Sequence, residues 1–200
     1  MTYSDFTLSQ LKRDFQLTIY ERIKLFTDIT SVEISDFLSE FLSDNIPLAL
    51  AINTEKARSE MIITPILIEL RKIVNREISL FSGTDFTVDP TQGLNGICDF
   101  IIGKSEGQFF LDTPVLIIVE AKNESIKNGL PQCIAAMVAA QIFNHQENTS
   151  VSNVYGAVTT GDHWKFLKLE DKSAFIDLDD YYTNDPGKII GILLSMVENV

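Results

Sequence analysis

Gly96-Ile-Cys-Asp-Phe-Ile-Ile-Gly103 and Pro114-Val-Leu-Ile-Ile-Val-Glu-Ala-Lys122 are nearly continuous apolar runs, interrupted by charge at Asp99, Glu120 and Lys122. Runs of this length and β-branched content read as strands covered on both faces, because a half-solvated strand alternates polar with apolar. Gly107 lies in the connection between them. The two are expected to be central neighbours. Side chains two apart on a strand share a face, so Glu120 points the same way as Lys122, and Asp99 the same way as Ile97 and Ile101. A charge on such a strand needs a partner, since its desolvation is costly. Two carboxylates that share one divalent cation, with a lysine beside them, satisfy that need. The alternative is an ion pair at a solvated strand end.

Outward from these strands, Thr54 is a plausible N-cap for a helix reaching roughly to Glu77, with an apolar stripe at Ile63, Leu67, Leu70 and Val74 and a kink or restart at Pro65. Glu60, three before Ile63 and seven before Leu67, falls on that inner stripe; the alternative is a solvated first-turn acid favoured by the helix dipole. Downstream, a helix from Pro131 to Phe143 is rich in alanine and suited to close packing on the sheet, with Gln132 in its first turn. Val154 to Thr159 and His163 to Leu169 read as a strand pair around Thr160-Gly-Asp162, and a last helix follows Asp185-Pro186. The first fifty residues read as helical at Leu8, Leu11, Phe15 and Ile19, and again from Val32 to Leu42, ahead of a turn at Ser43 to Pro47. Ser82 to Gly96 reads as loop, with a short strand at Phe86 to Val88. The expectation is one α/β domain over 1–200. A helical extension occupies 1–53, a core with helices around a mixed sheet 54–170, and a C-terminal loop and helix 171–200.

Asp99 followed by Glu120-Ala121-Lys122 at the end of an apolar strand resembles the signature of the PD-(D/E)XK, or restriction-endonuclease-like, nuclease superfamily. Gln132 resembles the glutamine often found on that family's following helix, and Glu60 the acid of its preceding helix. The run Thr54-Glu-Lys-Ala-Arg-Ser-Glu60 is similar to the helix start of uncharacterised bacterial members. The residue before Asp99 is Cys98, where the signature has proline. The resemblance implies Mg²⁺ or Mn²⁺ held by Asp99, Glu120 and the carbonyl of Ala121. It implies Lys122 as the catalytic lysine, and a nucleic-acid partner, DNA ahead of RNA, with a homodimer as an open option.

Other chemistries are excluded by their missing motifs: the chain has no GxSxG, Walker A or HExxH sequence. His145 and His163 lack metal-ligand spacing. Trp164 and Phe166 alternate with Lys165 as a base-stacking strip would, although such a strand is more often half buried. Lys104, Lys127, Lys165 and Lys168 are candidates to line a groove, with dispersed surface lysines as the alternative. Cys98 and Cys133 sit in apolar contexts and read as free thiols of a reducing compartment. With no basic-then-apolar leader and no run long enough for a bilayer, the expected place is the cytoplasm. The net charge of −12 opposes binding to a polyanion. Screening within about 8 Å and a bound cation soften that opposition. A catalytically idle binding or assembly module on the same fold is the competing reading.

Overall fold

The computed structural model describes residues 1–149 and 151–199. Its centre is an eight-stranded mixed sheet. The strands are β1 (Thr18–Ile23), β2 (Ser79–Asp85), β3 (Ile97–Gly103), β4 (Val115–Ala121), β5 (Val154–Thr159), β6 (His163–Glu170), β7 (Ser173–Asp177) and β8 (Tyr181–Tyr182). Their order is β1-β7-β6-β5-β4-β3-β2, and β8 pairs with β6. β1 with β7 and β4 with β5 are parallel; every other pair is antiparallel. The two quoted runs are adjacent central strands, and every residue of β4 is buried.

The described residues hold six α-helices, packed on the sheet or on one another: α1 (Leu8–Asp14), α2 (Asp36–Ile52), α3 (Glu55–Arg58), α4 (Thr64–Ile73), α5 (Ile126–Gln146) and α6 (Pro186–Glu198). On one face, Leu38, Leu42, Ile62, Ile66, Leu70, Ile190 and Leu193 bury Phe100, Ile102, Ile117 and Val119. On the other, α5 lays Cys133, Ala136, Met137 and Ala140 against Ile101, Ile118, Val158 and Leu167. The small side chains let this helix approach closely. At Gly156 of β5 an added Cβ would stand 2.5 Å from Met137 Sδ and 2.8 Å from Cys133 Sγ.

Several boundaries differ from the sequence reading. The N-terminal region is not wholly helical: Ile19 lies in β1, which lengthens the sheet along one edge. Ser43 to Pro47 is no turn but lies inside α2, and Pro47 is tolerated there. α5 begins five residues before Pro131, which sits inside it, so Gln132 closes the second turn instead of opening the first. The loop assigned to Ser82–Gly96 contains the end of β2, and Phe86 to Val88 lies outside the strand. Residues 171–199 carry β7 and β8 as well as α6, and Val200 lies outside the described residues. Thr54 is the N-cap expected, its hydroxyl accepting the Ala57 N–H at 3.1 Å. The helix it starts widens into a π turn over Ser59–Ile63 before Pro65 enters the first turn of α4. Among the described residues no helix is long and apolar enough to cross a membrane.

Candidate active site

Parallel strands joined by a helix open a crevice beyond their carboxyl ends, where the chain departs in different directions. β4 and β5, joined by α5, form that unit here. Glu120 and Ala121 end β4 and Lys122 follows; antiparallel β3 begins at the same end, which brings Asp99 there. The last paired position is Phe100 with Val119, and Asp99 and Glu120 come next on either strand. Asp99 Oδ2 accepts the Ala121 N–H at 2.8 Å, fixing that carboxylate to the end of β4.

Glu120 is 0% exposed. Its Oε2 accepts the Gln132 Nε2–H at 2.7 Å and lies 3.8 Å from Lys122 Nζ. Its Oε1 is buried without a hydrogen-bond partner. Burial pushes the Glu120 carboxyl well above the usual carboxylate range, and the charge of Asp99 pushes it further, with Lys122 pulling part of the way back. Two carboxylates cannot hydrogen-bond each other. A proton or a cation must therefore come between them. The Lys122 stem is held by α5 at Gly129, where a Cβ would meet Val158 Cγ1 at 2.5 Å and Lys122 Cγ and Cε at 3.0 and 3.2 Å. Glycine at this position is what leaves room for the lysine under the helix.

Asp99, Glu120, Ala121, Lys122 and Gln132 thus come together. Glu60 does not. It is 59% exposed on the side-chain scale, ion-paired to Lys56 at 3.2 Å, and lines a groove with Phe37, Phe41 and Ile68. The π turn explains the displacement, because its i→i+5 bonding adds a residue to the turn and shifts the helical phase on which Glu60 was placed inward. Glu55, an exposed acid in the first turn of α3, is coupled through its charge to Lys122 and Asp99. Partial desolvation raises its carboxyl, Lys122 lowers it, and Asp99 raises it again. Sequence reasoning passed over Glu55 although it directly follows the Thr54 cap; a first-turn acid looks like a helix-dipole residue.

The donor set suits a hard cation. Two carboxylates, a strand-end carbonyl and water oxygens are what Mg²⁺ accepts, since it keeps several waters and takes one or two carboxylates. The unpartnered Glu120 oxygen points to the same need. Among the described residues no three His, Cys, Asp or Glu side chains converge as a ready-made cage.

Cations near the site stand against carboxylates. Arg58 Nη1 pairs with Asp162 at 2.8 Å and also donates to the Thr160 carbonyl. Lys165 pairs with Asp180 at 2.9 Å, and Lys168 with Glu170 at 2.8 Å. Of the four groove candidates, Lys104 follows β3 at its far end, Lys168 lies toward the other end of β6, Lys165 is level with Glu120 across β5 but paired to Asp180, and Lys127 is exposed in the first turn of α5. Trp164 and Phe166 are fully buried and offer no stacking face. His163 is held by Asp180 at 2.8 Å, and His145 is exposed at the end of α5. Next to Lys122 lies an open cleft of about 570 Å³, whose walls include Arg58, Asn123, Glu124, Asp162, His163 and Tyr182. No protein-family model matches this chain, and no curated protein matches it.

Proposed function

We propose that this chain is a divalent-metal-dependent nuclease with a restriction-endonuclease-like core, hydrolysing phosphodiester bonds in DNA, or second to that RNA. The observation that carries the reading is the buried Glu120 with an oxygen left unpartnered beside Asp99 and Lys122, at the carboxyl end of a parallel strand pair. Fold support comes from the succession of α3 and α4, the β2-β3-β4 antiparallel meander, α5, and β5 parallel to β4.

In this reading Asp99, Glu120 and the Ala121 carbonyl hold Mg²⁺ or Mn²⁺. When bound, such an ion supplies Lewis acidity toward a phosphate oxygen and lowers the pKa of a coordinated water. Asp99 is kept in place by the Ala121 amide, and Gln132 fixes one oxygen of Glu120 so that the other faces the site. Lys122 Nζ, on a stem clamped under Gly129, is positioned to orient the attacking water and to offset charge that develops on the phosphoryl oxygens. Glu55 adds negative charge that Lys122 and Asp99 feel from the start of α3.

The net charge of −12 and the paired state of the flanking cations favour a second reading, a catalytically idle binding or assembly module. Incubation with supercoiled, linear and single-stranded DNA and with RNA, in Mg²⁺, Mn²⁺ and EDTA, separates the two. The nuclease reading expects cleavage that EDTA abolishes and that Lys122→Ala lowers by at least about 10²-fold. Absence of cleavage on every substrate overturns the nuclease reading, and metal-independent binding without cleavage supports the idle module.

A further inference from the structure

The cleft beside Lys122 has a feature that the hydrolytic residues do not use. Tyr182, on β8, is 52% exposed, and its ring stacks on that of His163 with centroids 4.9 Å apart and planes 17° from parallel. His163 is itself fixed by Asp180. The result is a pre-ordered aromatic platform on the wall of an open cavity. Across the sheet it lies three strand spacings from β4 by way of β5 and β6, about 14 Å. That places it within a short stretch of polynucleotide from the Asp99–Glu120 centre.

The charges of the cleft select for a base over a phosphate. Arg58 is engaged by Asp162, Asn53 and the Thr160 carbonyl, so the pair is neutral and Glu124 leaves the wall net negative. A neutral aromatic group meets no repulsion there. Asn123, whose Oδ1 is buried without a hydrogen-bond partner, adds an amide that can address the polar edge of a base. The volume, about 570 Å³, is within the range of small-molecule sites, about 300–1,000 Å³.

We propose that this cleft is a docking subsite for one unpaired base of the substrate strand, stacked on Tyr182, and hence that the substrate is single-stranded or locally unpaired nucleic acid. The inference rests on the nuclease reading above. A base inside a duplex has both faces covered by its neighbours and reaches such a platform only after unstacking. Stacking also supplies affinity that does not depend on neutralising phosphates, which suits an acidic protein.

The test is binding of oligonucleotides carrying fluorescent 2-aminopurine, single-stranded and duplex, to the full chain in EDTA and again in Ca²⁺, with cleavage in Mg²⁺ followed in parallel. The expected result is quenching on the single strand, weak or none on the duplex, with affinity about 5- to 150-fold lower in Tyr182→Ala. Tyr182→Trp should retain it. Because Tyr182 is half exposed, both variants should melt within about 2 °C of wild type, a shift that corresponds to less than about 1 kcal/mol. If wild type cleaves, but Tyr182→Ala binds and cleaves single strands as wild type does, the subsite is wrong and the nuclease reading survives. If wild type neither binds nor cleaves any nucleic acid, both are wrong.

Discussion

The two ends of β4 each carry a buried polar group, and they are treated in opposite ways. At the start of the strand, Asn144 of α5 donates to the Val115 carbonyl and accepts the Val115 N–H, both at 2.8 Å. One side chain closes both backbone groups, and nothing there awaits a ligand. At the other end the same helix sends Gln132 to only one oxygen of Glu120 and leaves the second unpartnered, with Asp99 alongside. A buried acceptor without a donor is unfavourable, and a second carboxylate beside it makes it more so. The closed end shows that this strand–helix pair can satisfy its polar groups fully. The open end therefore leaves room for a proton or an added cation, and the proposed metal site rests on the second.

The largest effect should come from breaking the closed end. Asn144→Ala leaves two buried Val115 groups unpaired and should lower unfolding free energy by about 2–6 kcal/mol in urea titrations, each lost partner costing about 1–3 kcal/mol. It should leave metal affinity of the folded protein unchanged. A variant as stable as wild type would show that the clamp is not what anchors β4 to α5.

Next in size is the clamp on Lys122. Gly129→Ala should cost about 1–3 kcal/mol through overpacking against Val158, although alanine is itself a better helix former than glycine by about 1 kcal/mol. Its more telling consequence is a fall in cleavage rate greater than in substrate affinity, since the added methyl displaces the lysine. Equal loss of both would mean that the glycine serves packing alone.

The open end should also show itself as a pH effect. The folded metal-free protein holds the Glu120 proton more tightly than the unfolded chain does. That contribution to stability is fully present below the unfolded carboxyl pKa and is lost as pH rises through the raised folded value. Metal-free wild type should thus lose stability relative to Glu120→Gln as pH rises above the ordinary carboxyl range, about 4.3, followed by melting both proteins across a pH series. Curves that stay parallel would mean that the carboxyl is not perturbed. Metal competes with the same proton, so its affinity should rise over the same rise in pH.

What the sequence disclosed, and what it concealed, divides along the same physical line. β3, β4 and β5 are mostly apolar runs and β6 alternates polar with apolar residues, so their burial is written in their sequence. β1 and β2 border the sheet, and their mixture of polar residues, with Gly83 inside β2, carries the composition of loops. β7 and β8 are short and were absorbed into a supposed tail. Pro47 and Pro131 read as boundaries because proline removes a helical hydrogen bond, yet packing outweighs that loss in both helices. At the site, charge on an apolar strand was enough to single out Asp99, Glu120 and Lys122. Glu60 faces outward because the π turn over Ser59–Ile63 winds wider than the 3.6 residues per turn that its spacing from Ile63 and Leu67 implies. The contrast between the two acids is a further, smaller test. Glu60→Ala should change stability by no more than about 0.5 kcal/mol, as expected for an exposed pair with Lys56, and leave metal binding unaltered. Glu55→Ala should alter metal affinity or cleavage, as calorimetry and rate assays would register; a larger effect from Glu60→Ala would reverse the assignment.

The most direct test of whether the open end of β4 is a cation site is the thermal shift of the metal-free protein on adding Mn²⁺ near pH 8. At ten times the dissociation constant the bound ion contributes about 1.4 kcal/mol, or about 3–5 °C for a chain of 200 residues. Wild type should show that rise, Lys122→Ala should retain most of it, and Asp99→Ala should lose it while melting no lower than wild type without metal. No shift in wild type, or an undiminished shift in Asp99→Ala, would contradict the assignment of Asp99 and Glu120 as a shared metal site.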